Sequence, residues 1–339
     1  MVTSVVRIGI VGCGMAARVH LDRFLALDGV SIAGCADPDL QAARALADRA
    51  SLGTGAGAGA VATPVPAFAD HRELLRQVAP DALAILTPQL SHYRLTMDAL
   101  QAGCHVFIEK PLSTNVQEAT DIVSLARGRD LKVGVGHPFR LCPSLVEARR
   151  RLSAGAIGPV RLVTAALTRP WFASFEQKES TGRSNPMVVG SGMLADAGDH
   201  LIDVLLWTTG QVAHEVAAFQ SRRDPGIDIV TAAAVRLADG TPVTVATSGI
   251  SPGTLFVVDY FGEQGRLRAT DQTLEEERLD VPRREVALPV PTETIEGNFV
   301  AAIASESRLC CPADEALDTV RLLDAIARSA ATGQIVRLI

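Results

Sequence analysis

Along the first part of the chain two rhythms of apolar residues alternate. Short unbroken runs fall at Val5–Val11, Val30–Ala36, Ala82–Leu86, His105–Ile108 and Lys132–Gly136. They lack polar residues at every second position, as strands buried on both faces of a parallel sheet do. Between them, apolar residues recur three and four apart in Val19–Leu25, Leu40–Leu46, Leu95–Ala102 and Val116–Arg127. That spacing suits helices with one buried face. The alternation predicts a doubly wound parallel sheet over about 136 residues.

The rhythm then changes. Pro143–Ala154 reads as a helix, and Gly158–Leu167 alternates apolar and polar with period two. Further short strands are expected at Val212–Phe219, Ile229–Leu237, Val243–Ser248, Leu255–Phe261 and Gly265–Thr270. With turns such as Ala238-Asp239-Gly240-Thr241 between them and no helices, they predict an antiparallel sheet. One helix, Gly192–Leu206, interrupts the series, and a last helix is expected at Pro312–Ala331. Ser51–Pro66 is rich in Gly and Ala without periodicity, which predicts a mobile surface insertion. The fold class expected is α/β followed by α+β: a Rossmann domain at 1–125, then a substrate and oligomerisation domain at 126–339 with a large open sheet. The final helix, 312–331, is expected to pack back towards the first domain. Val230, Ala232, Ala234 and their neighbours leave apolar side chains on more than one face of the second sheet, which predicts a homodimer or homotetramer through the sheet face.

Composition removes several function classes. Net charge is −6, with two Trp and two Tyr among 339 residues, so neither a nucleic-acid footprint nor an anionic membrane surface is expected. The six cysteines show no CxxC pair and read as reduced, buried thiols of a cytosolic protein. No basic and apolar leader or bilayer-length apolar run is present, and a cytoplasmic location is expected.

Three stretches carry chemistry. The first strand runs into Gly12-Cys13-Gly14-Met15-Ala16-Ala17 and then a helix, the strand, glycine turn and helix order of a dinucleotide fingerprint. Gly12 permits the tight turn, Gly14 the approach of amides to a pyrophosphate, and Ala17 close helix packing. Asp37, 20 residues past Ala17, stands near the position of the acid that binds the adenosine ribose, and equally at a helix N-cap. A carboxylate there predicts NAD, with NADP disfavoured.

The second stretch is Glu109-Lys110-Pro111, which ends the apolar run His105–Ile108. Lys110 stands at the carboxyl end of a strand, where open α/β sheets bind ligands. A solvated lysine paired with Glu109 is the plainer reading. The third is the helix Gly192–Leu206, where Asp196, His200 and Asp203 share a face at i, i+4 and i+7. A carboxylate one turn from a histidine fixes its tautomer and raises its basicity; a face held by local hydrogen bonds is the alternative. No thiolate or third histidine completes a metal site, so none is expected.

Together these words resemble the Gfo/Idh/MocA family of nicotinamide-dependent oxidoreductases. The likeness runs through the Gly12 turn, Ala-Asp-Pro-Asp at 36–39, Thr87-Pro88 with His92, Glu109-Lys110-Pro111, His137-Pro138-Phe139-Arg140 with Pro143, Gly155–Gly158, and the Gly192–Asp203 segment. The resemblance implies that Lys110, Asp196 and His200 are catalytic, and that Thr87, Pro88, His92 and Glu109 touch the cofactor along with Gly12, Gly14, Met15, Ala16, Asp37 and Lys110. It places Asp203, His137 and Arg140 near the substrate, with Trp171 stacking on a sugar ring or filling core. It also implies a cyclic polyol, sugar or sugar derivative as substrate. His200 would take the hydroxyl proton, oriented by Asp196, while Lys110 stabilises negative charge on the oxygen; Asp203 is the next candidate base. Ala17 departs from the third glycine, and Asp199 adds a charge beside His200 that either raises the histidine's pKa or binds a cationic or hydroxyl-rich ligand. Two rival activities remain: a redox-neutral NAD-dependent glycosidase, and a nucleotide-binding sensor, against which the intact Lys110, Asp196 and His200 argue.

Overall fold

The structure, a computed structural model, describes residues 5–53, 64–176, 192–223, 227–305 and 307–338. Most of the Gly/Ala-rich insertion therefore lies outside the described residues. The chain divides into two compact units, Met1–Gly136 with Glu293–Asp314, and His137–Thr292 with Glu315–Ile339.

In the first unit β1 (Val6–Val11), α1 (Met15–Leu25), β2 (Val30–Ala36), α2 (Leu40–Gly53), β3 (Ala67–Phe68), α3 (His71–Val78), β4 (Ala82–Ile85), α4 (His92–Gln101), β5 (His105–Glu109), α5 (Val116–Gly128) and β6 (Val133–Gly136) alternate in sequence. The six strands are all parallel, in the order β3-β2-β1-β4-β5-β6. The strand order reverses between β1 and β4, and a ligand crevice opens at the carboxyl ends of strands at such a point. Ile8, Ile10, Leu83, Ile85, Val106 and Ile108 are fully buried, which is why these strands read as unbroken apolar runs.

The unit boundary falls at Gly136 and not at 125, because β6 hydrogen-bonds to β5 through Val106↔Val133 and its successors. The element that returns to this unit is also different from the one expected. The helix Ile295–Ala304, capped by the Thr294 hydroxyl on the Gly297 amide at 3.0 Å, belongs here; the final helix belongs to the second unit.

The second unit contains α6 (Pro143–Ser153), β7 (Val160–Thr168), α7 (Trp171–Glu176), a π-helical turn (Leu194–Gly198) leading into α8 (Asp199–Thr209), and β8 (Ala213–Arg223). Then come β9 (Ile227–Leu237), β10 (Pro242–Ser248), β11 (Leu255–Gly262), β12 (Gly265–Ala269), β13 (Leu274–Arg278) and β14 (Val281–Glu285). After α9 (Ile295–Ala304), α10 (Ala313–Thr332) and β15 (Val336–Arg337) end the chain. Nine strands form one sheet in the order β14-β13-β12-β11-β7-β10-β9-β8-β15, antiparallel except for β10 on β7.

Alternation fixes which face is covered. Val216, Ala218, Ala233, Val235, Val243, Val245, Val258 and Tyr260 are buried in one cluster with Leu201, Val204 and Leu205 of α8. Ala232, Ala234, Thr244 and Ala246, on the opposite face, are exposed. The edge strand β14 and its neighbour β13 escape a hydrophobic reading because they are charged. Cross-strand pairs, Arg283 with Glu275 at 2.6 Å and Arg284 with Glu276 at 2.8 Å, hold them.

Candidate active site

The turn after β1 is dictated by sterics. Gly12 has φ +87°, and a Cβ there would stand 2.6 Å from the Leu86 carbonyl oxygen and 2.7 Å from Thr87 Cγ2. Only glycine fits, because β4 ends against this turn. Gly14 is different: it caps α1 with φ −79° and ψ −160°, and a Cβ there meets nothing within 4 Å. The opening amides of α1 receive no side-chain cap, so orphan N–H groups and the positive helix end face the space before Gly14, the arrangement that holds a pyrophosphate. Met15 is 75% exposed beside it.

Asp37 follows β2 and faces the same turn. Its Oδ2 accepts the Cys13 amide at 2.8 Å and its Oδ1 the Asp39 amide at 2.9 Å. Each carboxylate oxygen has a second lone pair, so the group ties the glycine turn in place and still offers acceptors to ribose hydroxyls. The residues present fit a dinucleotide.

The other end of the crevice is built from β4 and β5. His92 is buried with Nδ1 2.7 Å from the Pro111 oxygen and Nε2 3.0 Å from the Thr87 oxygen. It stands between the Thr87-Pro88 turn and the Lys110-Pro111 turn; burial pushes its pKa down, and a neutral ring donates to only one of the two carbonyls at a time. Ser91 reinforces the first turn by donating to Thr87 Oγ1 at 2.7 Å. Glu109 accepts the Lys110 amide at Oε2, 3.2 Å, and meets His20 Nε2 at Oε1, 2.8 Å. Burial alone would raise the Glu109 carboxyl. The hydrogen bond from His20, its charge and that of Lys110 outweigh burial and hold it below the usual carboxylate range. Thr87, Pro88, His92, Glu109 and Lys110 thus gather at the carboxyl ends of β4 and β5, in the unit that carries Gly12, Gly14 and Asp37.

The second unit holds the other chemical groups. The expected helix does not start as an α-helix: Leu194–Gly198 is wound as a π-turn that carries Asp196. π-Turns inside helices cluster at functional sites, and the wider winding re-aims Asp196 relative to His200 and Asp203 on α8. Asp228 of β9 caps the start, accepting the Leu194 amide at 2.8 Å. Trp171 is only 4% exposed, and its indole N–H donates to Asp196 Oδ2 at 2.7 Å. Its ring fills core, and its N–H orients the carboxylate; the stacking platform for a sugar is not where the indole sits. His200 lies in an aromatic frame, edge-on to Phe139 at 5.0 Å and to His137 at 6.0 Å.

Asp203 and Arg140 occupy each other. Both are buried, and the guanidinium meets the carboxylate through Nε at 2.9 Å and Nη2 at 2.7 Å. Glu315 takes the remaining Nη1, and Thr319 donates to Asp203 Oδ1 at 3.4 Å. Burial would raise the Asp203 carboxyl, but His137 and Arg140 outweigh it and hold it below the usual range. A carboxylate so held is a poor proton acceptor, which removes Asp203 as the next candidate base. His137 Nδ1 stands 3.5 Å from Asp199 Oδ1 and 3.7 Å from Asp203 Oδ2.

Asp199 was singled out for its charge, and the structure adds His137 to it. His137, Asp199 and His200 each bring a donor atom within 4.8 Å of the others. The third donor comes from outside the helix, so spacing along α8 could not reveal it. His20, Glu296 and Asp228 also escaped the sequence. For His20 a signal existed: it shares the buried face of α1 with Ala17, Leu21 and Phe24, an unusual place for an imidazole.

A model of an oxidoreductase family with an NAD-binding Rossmann fold matches residues 6–137, and a Gfo/Idh/MocA C-terminal domain model matches 145–268. The chain belongs to the Gfo/Idh/MocA family. Among its relatives, a D-glucoside 3-dehydrogenase of Escherichia coli is 29% identical over 62% of this chain, a match that spans 56% of that protein. A D-apiose dehydrogenase of Paraburkholderia graminis is 26% identical over 97% of this chain and 88% of its own length. In fold, the chain resembles the WlbA dehydrogenase of Bordetella pertussis, crystallised with NADH and UDP-GlcNAcA, with a TM-score of 0.80, 21% identity and coverage of 98% and 99% of the two chains. This Gfo/Idh/MocA protein is an oxidoreductase with an NAD-binding first domain, and no helix among its described residues is long and apolar enough to cross a membrane.

Proposed function

We propose that the protein is an NAD-dependent dehydrogenase that oxidises a secondary hydroxyl of a cyclic polyol, sugar or sugar derivative, or reduces the corresponding ketone. The observation that carries the chemistry is Asp196, held by the Trp171 indole at 2.7 Å on a π-turn, four residues before His200. The names of relatives that act on D-glucoside and D-apiose support the substrate class.

Bound NAD supplies the hydride acceptor. The rest falls to the chain. His200 takes the hydroxyl proton as general base, and Asp196 favours the imidazolium that results. Lys110, in the family's Glu-Lys-Pro word, stabilises negative charge on the oxygen. Asp199, beside His137, adds a second carboxylate to the surroundings of His200 and suits a hydroxyl-rich ligand.

The test is a panel of polyols and sugars read by NADH absorbance, then kinetics on the best substrate. Lys110→Ala and His200→Ala should each lower kcat by ~10²–10⁴-fold. The double variant should lose far less than the product if both act on one hydroxyl. Asp196→Asn should move the alkaline rise of the rate to lower pH. Release of an aglycone without net NADH would instead favour the redox-neutral glycosidase, and near-normal turnover in His200→Ala would end the assignment of the base.

A further inference from the structure

The first unit contains a buried ionic cluster centred on His20. His20 lies on the inner face of α1 and is 4% exposed. Its Nε2 is 2.8 Å from Glu109 Oε1 at the end of β5, and its Nδ1 is 2.6 Å from Glu296 Oε1 in α9. Arg23, one turn later on α1, reaches the same Glu296 oxygen at 3.1 Å. Phe107 packs edge-on against the imidazole at 5.3 Å.

Carboxylate oxygens only accept. A neutral imidazole donates from one nitrogen and would turn a lone pair on the other carboxylate, so two short contacts require both nitrogens to carry protons. The charges then balance, with His20 and Arg23 against Glu109 and Glu296. Glu109 also faces Lys110, and it faces His92 through space.

The consequence lies in what the two ends of this clamp carry. The amino end of α1 is the phosphate cradle at Gly14, and the other oxygen of Glu109 holds the Lys110 amide at 3.2 Å. We propose that His20 is a positioning residue whose imidazolium locks the Glu109-Lys110 turn to the cradle helix, so that nucleotide affinity depends on its contact with Glu109. Burial by itself would lower the His20 pKa; the bonds to Glu109 and Glu296 outweigh it and push it up to about 9. Folded His20 therefore holds its proton through neutrality. The stability this contributes is fully present below the unfolded value and fades as pH rises through about 9. The readout is binding of NADH, so it holds whichever hydroxyl the enzyme attacks.

Two near-isosteres separate the contacts. Gln places its amide nitrogen near the position of Nε2 and keeps a donor for Glu109; Asn places its own near Nδ1 and keeps one for Glu296. NADH fluorescence titrations on folded protein at neutral pH should show His20→Asn weakened about ten-fold or more, since one charged hydrogen bond is on that scale. His20→Gln should stay within about three-fold of the parent. Affinity of the parent should fall as pH passes about 9, and that inflection should be absent from His20→Gln. Equal affinities for both variants and the parent would overturn the proposal, as would equal weakening of the two or an inflection that persists in His20→Gln.

Discussion

Gly12 and Gly14 look alike in the sequence and should fail in opposite ways. Alanine at 12 places Cβ 2.6 Å from the Leu86 oxygen and 2.8 Å from its carbonyl carbon. Those are backbone atoms of a central strand end and have no rotamer to yield. The residue also sits at φ +87°, a left-handed conformation that costs an L-residue about 1–2 kcal/mol. Overpacking adds about 1–3 kcal/mol. The sum, about 2–5 kcal/mol, translates into a Tm lower by about 4–20 °C for a unit of this size. Alanine at 14 meets nothing within 4 Å and keeps an extended backbone that any residue adopts. Its methyl stands instead in the space offered to the pyrophosphate. Gly14→Ala should therefore keep its Tm within about 1–2 °C and bind NADH ~10- to 100-fold more weakly, about 1.4–2.8 kcal/mol. Differential scanning calorimetry and fluorescence titration on the same samples read both quantities. A Gly14→Ala protein that binds NADH like the parent, or a Gly12→Ala protein that melts with it, would refute this account of the turn.

Three other outcomes are expected. Asp37→Ser should relax preference for NAD over NADP by ~10- to 100-fold, the scale of charged hydrogen bonds; tighter binding of NADPH than NADH by the parent would remove Asp37 from that role. Arg140→Met should destabilise by about 3–5 kcal/mol, because it leaves the buried Asp203 charge unpaired. Asp203 is depressed in the folded state, so its contribution is present above the ordinary carboxylate pKa and lost as pH falls through the folded value. The variant lacks this contribution at every pH, so the stability gap between parent and variant should shrink as pH falls, and a gap that stays constant into acid in denaturation curves would contradict the pairing. Finally, the exposed Ala232, Ala234 and Ala246 face of the nine-stranded sheet should be covered by a second copy, and light scattering that finds only monomer at micromolar concentration would exclude that.

Much of this was legible in the chain, and for physical reasons. β1, β4 and β5 announced themselves because strands buried on both faces are mostly apolar without a period-two alternation, and the glycine turn because its backbone has few sequence solutions. β13 and β14 did not, since Arg283 and Arg284 paired with Glu275 and Glu276 do across an edge what apolar packing does elsewhere. The helix of Asp196 and His200 was found, but its π-wound start was not, because spacing along a sequence presumes one pitch. Long-range partners were invisible in principle. Nothing near Asp196 names Trp171, and nothing near His20 names Glu296, 276 residues away. Asp203 and Arg140 were both noticed, but for contact with substrate, when each is the other's counter-ion.

The return of residues 293–314 to the first unit bears on how the protein is made. On a ribosome the parallel sheet is complete once Gly136 has emerged, yet α9 is still unwritten. At ~5–20 residues per second the wait is about ten to thirty seconds. During it His20 and Arg23 have no Glu296 to meet, and the surface that α9 will cover is open to other chains. Eight of the nine strands of the second sheet, β7 to β14, must be synthesised before the nucleotide domain is finished. A gene fragment cut at residue 136, the obvious way to isolate that domain, would preserve this unfinished state permanently.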